Sequence, residues 1–424
     1  MLKVIVPTSI LPHTNHTVRA ANVVLYELLY ALALKSDLQL LVLPVYYAIE
    51  SHPTPEELEG ITSLSQIGVR FLPSLVIPST ATSKYSRLLD LLITPDQFFY
   101  PVLKYRNQVT HLINSIRPNV VLTVWSEPLT ALFSVVSLPK IAYYGNPDPK
   151  TLRARAAFAF RNGGSLLSYL RSFSLSYLFE LAHLRLMSKW SMLANVAALD
   201  AYYYHRKGHP NSFYLQNVWI DRAIKTEPVT ASSSFTTVRI AASVGKLDGT
   251  ANTHGFEYMI KHLLPAMRSI FQNKPFELHI FGAREPNSSV ASLFDAPEVV
   301  RRGFVADIDS ELISCDSFLC VNNATNYNVG HTRYLHAWSL GCCVVAHVNV
   351  RKAMPELEHM SNSLLGSSPH EIAQHLLSLS LDPTLRARLA ARGRDTFIRH
   401  FTSKPVADQL ALRLRSLVED PQHY

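Results

Sequence analysis

The stretch NVGHTRYLHAWSLGCCVVAH, residues 328–347, combines a loop, a short helix and a buried strand. Polar residues and Gly330 open it, and small and apolar residues follow from Tyr334. Gly341 then marks a turn before the apolar run 343–347. A helix that leads through a glycine turn into a short apolar strand is typical of α/β proteins. The stretch therefore predicts alternating strands and helices in this half of the chain.

The same alternation continues on both sides of this stretch. Nine of the fifteen glycines lie between 245 and 393, mostly at strand-to-helix turns, where a backbone can approach a ligand closely. We predict strands at Val238–Val244, Phe276–Phe281, Val299–Phe304, Ser317–Val321 and Cys343–His347, and helices at Phe256–Phe271, Ile308–Ser314, 369–380 and 383–400.

The first half of the chain shows a related pattern of short apolar runs and helical stretches. The predicted strands are Leu2–Pro7, Leu38–Val45, Val69–Leu72, Val120–Val124, Lys140–Tyr144, Ala197–Tyr204 and Phe213–Val218. The predicted helices are Ala20–Leu34, Tyr100–Ile116, Leu129–Val136 and a long aromatic and basic segment at 166–190.

The length of 424 residues predicts two domains. We place an N-terminal Rossmann-like domain at 1–218, a polar linker at 219–236 and a C-terminal Rossmann-like domain at 237–402. Residues 403–424 form a tail, for which a helix returning to the N-terminal domain is one option. The predicted fold class is α/β, with two facing Rossmann-like domains and a cleft between them.

The composition narrows the class of protein. Hydrophobic residues make up 48% and charged residues 17%, which favours large cores and argues against extended disorder. The four cysteines have no metal-site spacing, so we expect reduced core thiols. The chain opens directly on a strand and has no run of 18 apolar residues, so we expect a cytoplasmic protein without a transmembrane helix.

The positive charge is concentrated in one region. Residues 150–207 hold 9 basic and 2 acidic residues, whereas the chain as a whole carries +8. Such a region can attract anionic lipid, a phosphorylated acceptor or nucleic acid, or it can be a solvated basic surface. The aromatic and basic segment 166–190 fits either a membrane-surface element or a helix that covers the sheet.

Four stretches together resemble the retaining, family 4-like glycosyltransferases of the GT-B fold, also called glycosyl transferases group 1. They are VGKLDGTANTHGFEYMIKHLLPAM, FELHIFGA, VVRRGFVADIDSELISCDSFLCV and the opening stretch. In their order and spacing, residues 238–402 are similar to the family. Residues 1–220 resemble it only loosely. The resemblance implies sugar transfer from a nucleotide-sugar, with the donor site in the C-terminal domain and the acceptor site in the N-terminal domain.

The resemblance and the chemistry of a diphosphate point to one set of donor-binding residues. Backbone N–H groups, helix N-termini and cations bind diphosphates. Lys246 and Arg333 supply cations, and His254 stands near a second basic position of the family. The predicted donor-binding residues are Gly245, Lys246, Asn252, His254, Gly282, Gly330, His331, Thr332, Arg333 and His336.

The family's Glu-x7-Glu positions are altered in this chain. They hold Asn328 and His336, both of which can hydrogen-bond a hydroxyl but neither of which is a permanent anion. Asn328 can orient a sugar but cannot stabilise a cationic transition state as a carboxylate does. Transfer then depends more on cations and N–H groups that stabilise the leaving diphosphate.

The N-terminal domain also departs from the family. The loop PTSILPHTNHTVRAAN lacks the usual glycine-rich turn, and we assign its residues His13, His16 and Arg19 to acceptor binding. Gly145 occupies the place where family members often have a histidine. Glu127 and Asn146 should follow neighbouring strands at the cleft, and we name them with Asn328 as candidate catalytic residues.

The leading hypothesis is a cytoplasmic glycosyltransferase in polysaccharide or glycoconjugate biosynthesis, with a glycan, lipid-linked or other acceptor and possible peripheral membrane contact. We expect no metal and no cofactor, since the nucleotide-sugar is a co-substrate. The main alternative is a catalytically impaired nucleotide-sugar-binding or scaffolding partner of an active glycosyltransferase. A two-domain epimerase lacks an identifiable acid/base set, and nucleic-acid binding lacks a recognisable reading module. The sequence leaves the oligomeric state open.

Overall fold

The structure is a computed structural model that describes residues 1–15, 20–47, 52–77, 103–145, 147–222, 237–325, 327–330 and 332–419. The chain forms two compact units. The N-terminal unit contains Met1–Val218 and Ser403–Tyr424, and the C-terminal unit contains Trp219–Thr402.

The N-terminal unit is built on a parallel sheet. Its order is β3-β2-β1-β5-β6-β7-β8, with β4 paired to β2, so the direction of winding reverses between β1 and β5. The strands are β1 (Leu2–Thr8), β2 (Leu38–Tyr46), β3 (Arg70–Phe71), β4 (Leu75–Val76), β5 (Val120–Val124), β6 (Lys140–Tyr144), β7 (Met192–Asn195) and β8 (Ser212–Tyr214).

The helices of this unit connect successive parallel strands, as a doubly wound sheet requires. They are α1 (Ala20–Ala33), α2 (Pro55–Gln66), α3 (Arg106–Ile116), α4 (Glu127–Phe133), α5 (Asp148–Arg161), α6 (Leu166–Met187) and α7 (Ala198–Arg206). The apolar residues of β1, β2, β5 and β6 are buried on both faces of the sheet.

The C-terminal unit has a second parallel sheet, in the order β11-β10-β9-β12-β13-β14. Its winding reverses between β9 and β12, and ligands of such sheets bind outside the carboxyl ends of the strands at this point. The strands are β9 (Val238–Ser243), β10 (Phe276–Phe281), β11 (Val299–Gly303), β12 (Ser317–Cys320), β13 (Val344–His347) and β14 (Leu364–Gly366).

The helices that surround this sheet are α8 (Thr250–Tyr258), α9 (Leu264–Phe271), α10 (Ile308–Ile313), α11 (Thr332–Ser339), α12 (Pro369–Leu381) and α13 (Pro383–His400). A wide π-turn, Met259–Leu263, joins α8 to α9. Pro265 has no N–H for the regular helical bond, which explains why the helix opens just before it.

The chain returns to the N-terminal unit through helix α14 (Ser403–Glu419). Its residue Arg415 binds the Asp37 carboxylate through Nε and a terminal nitrogen, at 2.6 and 2.9 Å. Gln409 of the same helix donates to the carbonyl oxygen of Tyr214 at 3.2 Å. Buried side chains of α14, including Leu410 and Leu414, supply its apolar face.

Two parallel-sheet α/β units confirm the predicted fold class, but one predicted element was wrong. Ala197–Tyr204 was predicted as a strand, and the structure has helix α7 there. The neighbouring strand is β7, which ends at Asn195. Three consecutive tyrosines favour a strand by propensity. Helical spacing nevertheless wins, because it buries Asp200, Ala201 and Tyr204 on one face.

Within the described ranges, the helices are all too short or too polar to cross a lipid bilayer.

Gly393 sets how closely α13 can approach α11. A Cβ at this position would lie 2.5 Å from the indole ring of Trp338, which is fully buried. We expect Gly393→Ala to lower the free energy of unfolding by about 1–3 kcal/mol, because overpacking displaces the indole. Urea denaturation measures this loss. The exposed neighbour provides a control, since Arg392→Ala should leave the value unchanged; equal stability of both variants contradicts the packing argument.

Candidate functional site

The candidate site lies at the carboxyl edge of the C-terminal sheet, where its winding reverses. The loops after β9 and β12 flank this point, and the N-termini of α8 and α11 follow them. Both loops contain residues that the sequence assigned to donor binding.

Two glycine turns lie against each other at this edge. Gly245 follows β9 with φ 108°, and Gly282 follows β10 with φ 152°. A Cβ on Gly282 would lie 1.8 Å from the Gly245 carbonyl oxygen, so no side chain fits there. The Gly245 N–H donates to the carbonyl oxygen of Phe281 at 3.2 Å, and Leu247 donates to Ala283 at 3.1 Å. These contacts fix the backbone path of the first turn.

Asn252 stabilises this turn through side-chain hydrogen bonds. Its side chain is fully buried, and its amide nitrogen donates to the Lys246 carbonyl oxygen at 2.7 Å. Its oxygen accepts from Ser243 at 3.2 Å and from the Asn322 amide at 3.1 Å. Asn252 therefore holds the Gly245 turn in shape, and its side-chain oxygen and nitrogen are hydrogen-bonded within the protein.

Lys246 lies exposed on the turn that Asn252 supports. Within the described ranges, its ammonium forms no ion pair. The side chain can therefore reach an anion from solvent without first breaking an internal contact.

Arg333 supplies a second cation to the same turn from the first helical turn of α11. Its Nε donates to the Val244 carbonyl oxygen at 2.6 Å, and its guanidinium packs against Gly245. Burial lowers the pKa of Arg333, although a guanidinium remains charged. Its Nη1 is buried and has no hydrogen-bond partner among the described residues. Since a buried donor without a partner is costly, this nitrogen is available to an anion at the turn.

The loop after β12 is closed by asparagine side chains. The Asn323 amide accepts from the Val329 N–H at 3.3 Å and donates to its carbonyl oxygen at 3.2 Å. Asn328 is buried, and its amide nitrogen, in the orientation that satisfies both partners, donates to the carbonyl oxygens of Asn323 and Asn349 at 3.2 and 3.3 Å. The amide of Asn328 is thus used to hold the loop.

His336 lies on α11 and its ring is buried within the C-terminal unit. Its Nε2 lies 2.7 Å from Asp309 Oδ1 on α10, and its ring is 5.6 Å from that of Trp219. The Nε of Arg222 donates to the second oxygen of Asp309 at 2.7 Å. A carboxylate therefore lies beside His336, and helix α10 supplies it.

His254 belongs to an aromatic contact on the inner side of α8. Its buried ring stacks on Tyr327, with centroids 5.5 Å apart. Its Nδ1 lies 4.0 Å from a Glu257 oxygen, and Glu257 also binds Lys261 at 2.9 Å. His254 thus lies beside the loop after β12.

The remaining predicted donor residues occupy the entry to α11. Gly330 and Thr332 are half-buried, and Thr332 is the first residue of the helix. His331, between them, lies outside the described residues. The N–H groups at the start of this helix can accompany Arg333 in binding an anion.

In the N-terminal unit, Trp125 and Gly145 follow neighbouring strands at the carboxyl edge. Trp125 has φ 45°, a left-handed backbone that is uncommon for a bulky residue. Its ring lies 5.4 Å from that of Tyr143 and close to Gly145. Such strain concentrates at functional sites, and an indole offers a face to a sugar ring. Asn146 lies outside the described residues.

Glu127 begins helix α4 and is buried at 7% exposure. Its Oε1 accepts from the Asp148 N–H at 3.0 Å and lies 3.5 Å from Nδ1 of His183. Burial, followed by the nearby charge of Asp148, raises the pKa of Glu127 well above its usual range. Both effects favour the neutral acid over the carboxylate.

Two other neighbours of Glu127, His183 and Tyr204, are buried and neutral. Burial lowers the pKa of His183 to about 3, and His183 Nε2 lies 2.5 Å from the Tyr204 hydroxyl. The His183 ring meets Tyr144 edge-on at 5.2 Å. This buried Glu127–His183–Tyr204 group lies at the carboxyl ends of β5 and β6.

The structure describes only one of the three residues assigned to acceptor binding. The side chain of His13 is 2% exposed. The close approach of α2 explains this, since a Cβ on Gly60 would lie 2.2 Å from the Pro12 carbonyl oxygen. His16 and Arg19 lie outside the described residues.

No group of three or more histidine, cysteine, aspartate or glutamate side chains suited to a metal occurs in the part of the chain that the structure describes. The four cysteines are free thiols, three of them buried.

Solved structures with the same two-unit architecture are glycosyltransferases of the GT-B class. Alr3699/HepE from Anabaena, in complex with UDP and glucose, is 13% identical with a TM-score of 0.59, covering 98% of this chain and 100% of that one. Sucrose-phosphate synthase from Thermosynechococcus elongatus is 11% identical, with a TM-score of 0.64 and coverage of 99% and 100%. A glycosyltransferase from Rickettsia africae is 10% identical, with a TM-score of 0.61 and coverage of 99% of each chain. At these identities the likeness is one of fold.

The family match is located in the C-terminal unit. Residues 239–382 match the family model of glycosyl transferases group 1, which confirms the resemblance predicted from the sequence. The matched segment contains Lys246, Asn328, Arg333 and His336. No curated protein sequence matches the chain.

Sequence reasoning missed several residues that shape this site. Asp309 and Arg222 act through His336, and Asn322 and Asn323 close the loop after β12. The only signal for the two asparagines was their place directly after a buried strand. For Asp309 and Arg222, which are 87 residues apart, the sequence holds no local signal of contact.

The role of Asn328 can be tested by restoring a carboxylate. If its amide holds the loop, Asn328→Asp places an acceptor against two carbonyl oxygens and lowers the free energy of unfolding by about 1–3 kcal/mol. Thermal and urea denaturation measure the loss. Asn349→Asp is a matched control, because only the backbone of Asn349 takes part. An unchanged stability with increased sugar transfer would instead show that position 328 is catalytic.

The buried acid of the N-terminal unit predicts a pH effect. Because folding raises the pKa of Glu127, its contribution to stability is present below the unfolded value of 4.5 and is lost as the pH rises through the folded value. Glu127→Gln keeps the acceptor for Asp148 but never ionises. We therefore expect the variant to gain stability relative to the native protein between pH 5 and pH 8, measured by urea denaturation. The exposed Glu59→Gln should show no such trend, and a pH-independent difference for Glu127→Gln contradicts the assignment.

Proposed function

We propose that the protein is a glycosyltransferase that moves a sugar from a nucleotide-sugar to a glycan, glycolipid or other acceptor, with retention of configuration. The observation that carries this proposal is the pair of cations at the Gly245 turn. Lys246 is exposed and without an ion-pair partner among the described residues, and Arg333 is bound to the same turn with an unpartnered buried Nη1. Few ligands other than a diphosphate need two cations and several N–H groups at one turn.

The proposed chemistry is stabilisation of the leaving diphosphate. As the bond to the sugar breaks, negative charge grows on the β-phosphate oxygen. Arg333 and Lys246 offset this charge together with the N–H groups at the start of α11. We therefore propose a transferase that needs neither a metal nor a cofactor. The side chains of Arg333 and Lys246 supply the positive charge that a metal ion would otherwise supply.

The acceptor is proposed to bind at the carboxyl edge of the N-terminal sheet. Trp125, which has a left-handed backbone, and Gly145 both lie at this edge. The indole ring of Trp125 lies near Gly145, which has no side chain to cover it. Polysaccharide or glycoconjugate biosynthesis in the cytoplasm, with an acceptor held at a membrane, is the proposed setting.

Binding of nucleotides tests the donor site directly. UDP is the first ligand to try, because Alr3699/HepE was solved with UDP and glucose; GDP, ADP, TDP and CMP follow. A ligand at about a hundredfold its dissociation constant should stabilise the protein by about 2.7 kcal/mol in a thermal-shift assay.

Two substitutions should remove this binding. We expect Arg333→Ala and Lys246→Ala each to weaken nucleotide binding by roughly 30- to 100-fold, since each removes a charge-assisted hydrogen bond worth about 2–3 kcal/mol. Isothermal titration calorimetry measures the affinities. Arg333→Lys should recover little, because lysine cannot contact Val244 and the ligand together. The exposed Lys352→Ala is the control; equal losses in all variants would show that the site is elsewhere.

One observation favours a second candidate function, a nucleotide-sugar-binding or scaffolding partner of an active glycosyltransferase. The amide of Asn328 is used within its loop, and His336 faces Asp309. Hydrolysis of the bound nucleotide-sugar that is lost in Arg333→Ala and persists in EDTA supports the metal-independent enzyme. Binding without turnover, across acceptors presented free and on lipid, supports the partner.

A further inference from the structure

A helical hairpin projects from the N-terminal unit. It consists of α5 and α6, joined by a turn in which Gly163 has φ 91°. The second half of α6 is part of the core, where Phe179, Ala182 and Leu186 are buried. Its first three turns are mostly exposed, although Ser176 is buried.

The exposed part of α6 carries an apolar stripe. Leu166, Leu170, Phe173 and Tyr177 are 58%, 51%, 44% and 54% exposed. Their spacing of four, three and four residues puts them on one face of the helix, over about 17 Å. Leu167 beside them is 79% exposed. We call these five residues the hairpin stripe.

The other helix of the hairpin adds to this surface. Phe160, at the end of α5, is 42% exposed and stacks on Tyr169 with ring centroids 4.9 Å apart. Tyr169 in turn lies 6.0 Å from Phe173. The aromatic contacts hold the tip of the hairpin as one apolar surface, larger than the scattered single residues of ordinary protein surfaces.

The charge around the hairpin stripe has one sign. No acidic residue stands between Asp148 and Glu180, whereas five basic residues do. At the base, Lys150 binds Asp200 at 2.7 Å and Arg153 binds Glu180. Nearer the tip, Arg155, Arg161 and Arg171 are exposed.

We propose that the hairpin stripe docks onto the surface of an anionic lipid bilayer. Leucine and aromatic side chains can enter the boundary between headgroups and acyl chains, with tyrosines at the level of the headgroups. The exposed arginines then lie where anionic headgroups attract them. A second copy of the chain is a poorer occupant, because two hairpins would bring the same positive charges together.

This inference goes beyond the proposed sugar transfer and stands apart from the donor site. It deals with a surface in the N-terminal unit, whereas Lys246 and Arg333 lie in the C-terminal unit. The two can therefore be tested separately in one protein.

The test is co-sedimentation of the full-length protein with vesicles. Vesicles of phosphatidylcholine with about 30% phosphatidylglycerol, at low ionic strength, should bind the protein, whereas pure phosphatidylcholine vesicles should bind it weakly. Raising the salt to about 0.5 M should weaken binding to the anionic vesicles. A protein that stays in the supernatant with anionic vesicles at low salt overturns the proposal.

Variants assign the binding to the hairpin stripe. Leu170→Gln with Phe173→Gln should lower the partition coefficient about tenfold or more, because two inserted apolar side chains are lost. Arg161→Glu with Arg171→Glu should lower it on anionic vesicles only. Leu58→Gln is the matched control, since Leu58 is an equally exposed leucine, at 52%, on helix α2 of the same unit. If the stripe variants sediment like the control, the proposal is wrong.

Two further measurements distinguish membrane docking from nucleotide binding and from self-association. The stripe variants should keep the nucleotide-induced thermal shift, and Lys246→Ala should keep vesicle binding, so that failure of one proposal is not mistaken for failure of the other. Analytical ultracentrifugation in the absence of lipid should show no change of oligomeric state in the stripe variants. A dimer that Leu170→Gln with Phe173→Gln dissociates would instead assign the stripe to a contact between copies of the chain.

Discussion

The contact between the two glycine turns is the constraint on which the proposed donor site depends. Because no side chain fits at Gly282, the carbonyl of Gly245 can lie directly beside it. The turn after β9 therefore packs against the turn after β10 and is hydrogen-bonded to it. This path leaves the Val244 carbonyl available to Arg333 and the Lys246 carbonyl available to Asn252. The guanidinium of Arg333 on α11 and the amide of Asn252 on α8 thus contact three consecutive residues, Val244 to Lys246. The site is rigid before any ligand arrives, which reduces the cost of ordering it on binding.

The polar side chains that shape the loop after β12 are mainly neutral amides. The loop after β12 is organised by asparagine amides that bind one another and the backbone. Amides can be satisfied within a closed loop without the desolvation cost of a buried charge. Such a loop needs no ligand to satisfy its polar groups, and its amides carry no charge. The proposed stabilisation of a leaving diphosphate therefore depends on the cations at the Gly245 turn.

Most strands of both sheets could be predicted from the sequence, because buried parallel strands are short apolar runs bounded by turns. The prediction missed β4, β7 and β14, each of only two to four residues. Strands β5, β6 and β10 have the predicted limits. The prediction from sequence failed at Ala197–Tyr204. The tyrosine-rich composition there favours a strand, and only the burial of Asp200 and Tyr204 reveals a helix. Cations and glycines of the site could be predicted because their chemistry is local. The pairing of His336 with Asp309, and the burial of His13 under α2, depend on contacts distant in sequence, which periodicity does not encode.

Helix α6 links two features of the N-terminal unit that the sequence treats as separate. Its first half carries the hairpin stripe, and its second half carries His183, which lies beside Glu127 at the carboxyl ends of the strands. From Tyr177 to His183 the helix rises only about 9 Å. A hairpin that rests on a bilayer would therefore hold this edge of the sheet within reach of a headgroup that carries a sugar. The buried, neutral Glu127–His183–Tyr204 group packs at the base of this helix, whose other end carries the surface that we propose for lipid binding.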